Sequence, residues 1–91
     1  MDDKTLFELM MRDEEKALEE LFKRYFFRLS QFVFQFLKSE DSTEEVVSDV
    51  FINLWLKRKS ITISSNFKSY LFVSARNHAI NYIKKYKKIE N

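Results

Sequence analysis

A chain of 91 residues that contains no glycine and no proline leaves few folds open. It is short of tight turns with positive φ and of the residues that break strand edges. Leu, Lys, Glu, Phe and Ile are plentiful instead. The expectation is an all-α protein, a small bundle of about four helices joined by few, short links. The length suits one domain covering residues 1–91, just large enough to bury its own core without staples. Cysteine is also absent, which excludes disulfides and thiolate metal sites and is compatible with a reducing compartment. The opening MDDKTLFELMMRDEEK is acidic and amphipathic, unlike a signal peptide. No apolar run approaches transmembrane length, so no membrane insertion is expected.

Hydrophobic spacing predicts where the helices lie. Thr5 is a candidate N-cap for a first helix from roughly Leu6 to Met11. Asp13 can cap a second helix that runs to about Lys38, because Ala17, Leu18, Leu21, Tyr25, Leu29 and Val33 recur at three- and four-residue spacing. Phe26, Phe27 and Phe34 widen that stripe, which predicts a helix covered on more than one side. Ser42 with Glu45 reads as a capping box that opens a third helix to about Lys59. SITISSN is a polar connector, and Ser64, Ser65 or Asn66 can cap the last helix.

The formal net charge of +2 conceals an asymmetry. Residues 1–50 carry seven Lys/Arg and thirteen Asp/Glu, a net −6, whereas residues 51–91 carry nine Lys/Arg and one acidic residue, a net +8. A cationic second half suits an anionic partner, whether nucleic acid, acidic membrane surface or acidic protein. Charge segregation that draws the two halves together explains it equally well.

At about 100° per residue, the last helix places Leu71, Ala75, His78, Ala79, Tyr82 and Tyr86 on its core side, flanked by Phe72 and Ile83. Tyr70, Val73, Asn77, Asn81, Lys84 and Lys88 run along the opposite side. Tyr can stack on an unpaired base, Asn can read a base edge, and Lys neutralises phosphate. A solvated face with one stray tyrosine is the plain alternative. The third helix turns Val47, Val50, Phe51, Leu54 and Trp55 inward and Glu45, Asp49, Ile52 and Leu56 outward. Acidic residues interspersed with exposed aliphatics suit a protein-docking face. Burial of Ile52 and Leu56 against another helix of the bundle is equally consistent.

Little points to catalysis. His78 is the single histidine and lies at the flank of the core face, where packing explains it. The carboxylates sit at helix starts and on surfaces, and no glycine loop exists to cradle phosphate. No enzyme activity and no cofactor or metal is expected.

Taken together, TEEVVSDVFINLWLKR and FKSYLFVSARNHAINYIKK within residues 42–85 resemble region 2 of a bacterial RNA polymerase sigma factor of the extracytoplasmic-function type. The family pattern is Ala-Glu-Asp-Leu-x-Gln-Asp/Glu-x-Phe-x-x-Leu-Trp, followed by Phe-x-x-Trp/Tyr-Leu-x-x-x-Ala-Arg-Asn-x-Ala-x-Asp/Asn-x-x-Arg/Lys. Upstream, ALEELFKRYF is similar to the family's Ala/Phe-x-x-Leu-Tyr-x-x-Tyr segment.

The resemblance implies a cytoplasmic transcription initiation domain with two jobs. Its third-helix face docks on the coiled coil of the β′-type subunit of the polymerase core, with Glu45, Ser48, Asp49 and Ile52 as contacts. The family usually has Gln where this chain has Ser48, a shorter hydrogen-bonding arm. The second job is to recognise and melt the minus-ten promoter element. Tyr70, Val73, Asn77 and Asn81 match the promoter-facing positions. Ser64, Ser65 and Asn66 belong to a loop that captures a flipped base of the nontemplate strand. Lys84, Lys85, Lys87 and Lys88 would hold adjacent duplex phosphates. Primary sigma factors carry a tryptophan pair at the positions of Val73 and Ser74, so weaker intrinsic melting is implied. An anti-sigma factor is a further implied partner. The family's linker and upstream-reading domain have no counterpart here, which implies a domain excised from a longer factor. The rival reading is a helical protein-interaction or RNA-binding module with a basic C-terminal face.

Overall fold

The computed structural model describes the backbone of residues 1–90 and the side chains of residues 1–86. Among the described residues there are four helices: α1 (Asp3–Met11), α2 (Glu15–Leu37), α3 (Glu40–Leu56) and α4 (Phe67–Glu90). The all-α architecture expected from composition is the one observed.

Two of the caps fall earlier than the sequence suggests. Asp2, not Thr5, caps α1: its carboxylate accepts from the Thr5 amide at 2.9 Å. Ser39, not Ser42, caps α3, with its hydroxyl accepting from the Ser42 amide at 3.2 Å. SEDSTEE offers two serines with a polar residue three positions on, and the first one is used. Ser42 instead pairs its hydroxyl with that of Tyr82 on α4, 3.1 Å away. Asp13 does not cap α2, whose N-cap Glu14 makes no side-chain bond. Lys57, Arg58 and Lys59 lie beyond the end of α3 rather than in its last turn.

The chain without glycine still turns through positive φ at two positions. Asp13 has φ 70° and Lys38 has φ 59°. A Cβ in this region costs about 1–2 kcal/mol, so the short links are tolerated strain rather than relaxed turns. Lys38 closes α2 with its amide donating to the Phe34 carbonyl at 2.8 Å.

Ala17, Leu21, Tyr25, Leu29 and Val33 are the buried residues of α2, one every four positions. Each such step advances the stripe by about 40° at 100° per residue. The buried line therefore winds around α2, which packs against α1, α3 and α4 in turn. Leu6, Phe7 and Met10 of α1, Val46, Val47, Val50, Phe51 and Leu54 of α3, and Phe67, Leu71, Ala75 and Ala79 of α4 complete the core. Ala75 and Ala79 let the backbone of α4 sit close to its neighbours. The expectation that α2 is covered on several sides does not hold at Phe27, which is 69% exposed, nor at Phe34. A bundle this small has too few helices to cover both. Tyr86, assigned to the core side of α4, is exposed as well.

Candidate functional site

Asn66 fixes where α4 begins. Its Oδ1 accepts from the Ser69 amide at 2.8 Å and its carbonyl from the Tyr70 amide at 3.1 Å. From there the outer edge of α4 carries Val73, Asn77, Asn81 and Lys84, all exposed, with exposed Lys85 beside them. Val73 is an apolar side chain left 56% open to solvent. Tyr70 is drawn further in than helical spacing suggests. It is half-buried and packed against the core. Desolvation pushes its hydroxyl pKa up from the ordinary tyrosine value. Ser64 and Ser65 are exposed. The side chain of Lys88, like that of Lys87, lies outside the described residues.

The connector between α3 and α4 is tied down at its start. Arg58 donates to Asp13 Oδ1 from Nε at 3.0 Å and from Nη2 at 2.7 Å, and Lys59 Nζ reaches Asp13 Oδ2 at 3.2 Å. The Arg58 guanidinium also lies over the Trp55 ring, 3.8 Å from its centroid. Between this connector and α1 opens a cleft of ≈ 640 Å³. Ser65 and Asn66 line it, whereas Ser64 does not.

The outer face of α3 divides into two edges. Ser48, Ile52 and Leu56 line an apolar groove against Leu18 and Phe22 of α2. Ser48 is half-buried there, while Ile52 is 56% and Leu56 71% exposed. Glu45 and Asp49 are exposed on the other edge, where they share a shallow groove with Asn81 and Lys85 of α4. The acidic docking candidates and the cationic end of the α4 edge, separate surfaces in the sequence, are thus neighbours. His78 lies in the same groove with Nδ1 2.8 Å from the Ser74 carbonyl, one turn back along its own helix. Among the described residues no three or more of His, Cys, Asp and Glu gather as metal ligands would. Nor, among them, is any helix long and apolar enough to cross a membrane.

Two features were missed from sequence. The Asp13–Arg58 tie spans 45 positions, and an aspartate after a helix carries no mark of such a partner. The α1 wall of the cleft is equally remote, since α1 reads only as an amphipathic helix. No local signal marks either.

Four helices in this order, an acid-and-aliphatic face on α3 and a polar, cationic edge on α4 define the architecture of a sigma factor region 2. The chain belongs to that family: the model for sigma-70 region 2 matches residues 21–89. It is therefore a sigma factor domain of the transcription initiation machinery. Its fold is similar to that of an engineered region 2 of sigmaE, solved by NMR in complex with GTAAAA. The TM-score is 0.84 at 28% identity, over 93% of this chain and 88% of that one. No curated protein sequence matches the chain.

Proposed function

We propose that the chain docks on RNA polymerase core through α3 and meets the minus-ten promoter element through the connector and α4. The element is engaged as unpaired nontemplate strand. The observation that carries this reading is the open edge of α4. Val73, Asn77, Asn81 and Lys84 are all solvent-exposed, in a fold similar to a region 2 solved in complex with GTAAAA.

The energetics suit a division of labour. Extruding a base from duplex costs a few kcal/mol. Stacking of a base on an aromatic ring returns about 1–3 kcal/mol. Tyr70 offers such a ring already held by core packing, so little side-chain entropy is lost when a base settles on it. Asn77 and Asn81 each present a donor and an acceptor to a base edge. Lys84 and Lys85 add a sequence-independent attraction to phosphate. The polymerase supplies the remaining affinity. On the other face, Ile52 and Leu56 give an apolar seat beside acidic Glu45 and Asp49, which suits a basic, amphipathic coiled coil such as that of a β′-type subunit. Ser48 lies in the groove rather than projecting from it, so the seat depends less on that residue. An anti-sigma factor would compete for either face.

The test is binding of labelled single strands to the chain. GTAAAA should bind more tightly than its complement or the corresponding duplex. Replacing Asn77 and Asn81 together by Ala should remove most of that preference while leaving the helical content intact. Equal affinity for strand, complement and duplex would contradict the reading.

A further inference from the structure

A second groove between α2 and α3 shares no residue with the seat formed by Ile52 and Leu56. It has a volume of ≈ 580 Å³ and lies where the C-terminal half of α2 meets the start of α3. Phe26, Phe27 and Phe34 give it an aromatic wall, and Phe27 and Phe34 are exposed.

Glu40 and Glu44 stand on the α3 wall, both exposed and one turn apart. They make no ion pair among the described residues, and like charges at this spacing repel each other. The hydroxyls of Ser30 and Thr43 also line the groove and are buried without a hydrogen-bond partner among the described residues. Thr43 is only 5% exposed. A buried hydroxyl left unpaired costs free energy. The groove therefore favours an aromatic ring that carries its own hydroxyl and arrives with cations, which is a tyrosine among lysines.

The chain itself displays such a group. Tyr86, near the end of α4, is exposed, and so are Lys84 and Lys85 beside it. Its ring stacks on that of Tyr82, with centroids 4.4 Å apart, and the Tyr82 hydroxyl pairs with Ser42. Lys85 Nζ lies 5.6 Å from the Tyr86 ring centroid, so ring and cation are offered together. We propose that the α4 end of a second copy docks in this groove. Tyr86 enters between the phenylalanines with its hydroxyl toward Ser30 and Thr43, and Lys84 and Lys85 face Glu40 and Glu44. The contact joins two different surfaces, so a copy that lacks one of them still offers the other. It needs neither DNA nor polymerase, and salt weakens it by screening.

Sedimentation velocity over a concentration series tests this contact. The unmodified chain should sediment faster as concentration rises, and the rise should be lost at high salt. Phe27→Lys alters the groove and Tyr86→Ala alters the α4 end. Each variant alone should sediment as a monomer at every concentration. Both positions are exposed on helices, so helical content should be unchanged, which circular dichroism checks. Mixed in equal amounts, the two variants should pair, through the groove of one and Tyr86 of the other. No association by the unmodified chain would overturn the proposal. So would association that persists in Tyr86→Ala, the mark of two grooves closing on each other, or two folded variants that fail to pair when mixed.

Discussion

The Arg58 guanidinium grips one carboxylate oxygen of Asp13 with two donors, Nε at 3.0 Å and Nη2 at 2.7 Å. This joins the α1–α2 turn to the root of the α3–α4 connector. Arg58 is held from behind as well, by the Trp55 ring and by the Trp55 carbonyl, 2.7 Å from Nη1. The connector thus leaves α3 in a set direction.

Asp13→Asn should loosen the connector without unfolding the bundle. Asn tolerates the positive φ at this position but loses the charge. Exposed ion pairs add little to stability, so the melting temperature should barely move. Hydrogen exchange at amides 58–63 should accelerate, and binding of single-stranded DNA should weaken. Hydrogen bonds from Arg58, then Lys59, hold the Asp13 carboxyl below its ordinary pKa. The tie is thus intact above the usual carboxylate range and is lost as pH falls through the depressed value. Unaltered exchange in Asp13→Asn at neutral pH would show that the pair does not restrain the connector.

Tyr25 makes a different kind of link. It is buried in α2, and its hydroxyl donates to Asp3 of α1. Burial, then this bond, pushes its pKa up from 10.0 to about 12. Tyr25→Phe should cost about 1.5–3 kcal/mol, the net worth of a hydrogen bond to a charged group. For a domain of this size that is roughly 6–24 °C in melting temperature. A raised folded pKa means that the stabilisation is complete below pH 10 and drains away as pH rises toward 12. Denaturant titrations across that alkaline window should show a decline in the unmodified chain that is shallower in Tyr25→Phe. Parallel profiles would sink the assignment.

Tyr70 separates opening from docking. Tyr70→Phe keeps the ring and should retain promoter opening by the polymerase complex. Tyr70→Ala should lower it roughly tenfold, on the scale of one lost base stack, with core binding unchanged. Equal losses of opening and docking in Tyr70→Ala would mean that the residue serves the fold and not the promoter.

Lys84 and Lys85 should act through counterion release. Each alanine substitution should reduce the slope of log affinity against log salt by about 0.7 for single-stranded DNA. The ranking of sequences should stay as it is. A changed ranking with an unchanged slope would place these lysines on bases rather than phosphates.

The helical edges of α3 and α4 were legible because solvent exposure follows the 100° helical period. Val47, Val50, Phe51 and Leu54 are buried and Glu45, Asp49 and Ile52 exposed, as spacing suggested. The caps were less legible, since SEDSTEE supplies two competing serines and only tertiary packing, with Ser42 turned to Tyr82, decides between them. Tyr70 and Tyr86 exchanged roles for a similar reason. Tyr70 packs against the core near the start of α4, whereas Tyr86, towards the other end of that helix, is exposed. Relations between distant segments, such as Asp13 with Arg58, leave no periodic trace.

Binding of the chain to the isolated coiled coil of the polymerase β′-type subunit, with Asp49→Arg alongside, tests docking most directly. Asp49 is exposed at the edge of α3, so the reversal should leave helical content and melting temperature intact. Saturable binding by the unmodified chain, abolished in Asp49→Arg, is the expected result. Equal binding by both folded proteins, or none by either, would contradict docking through α3.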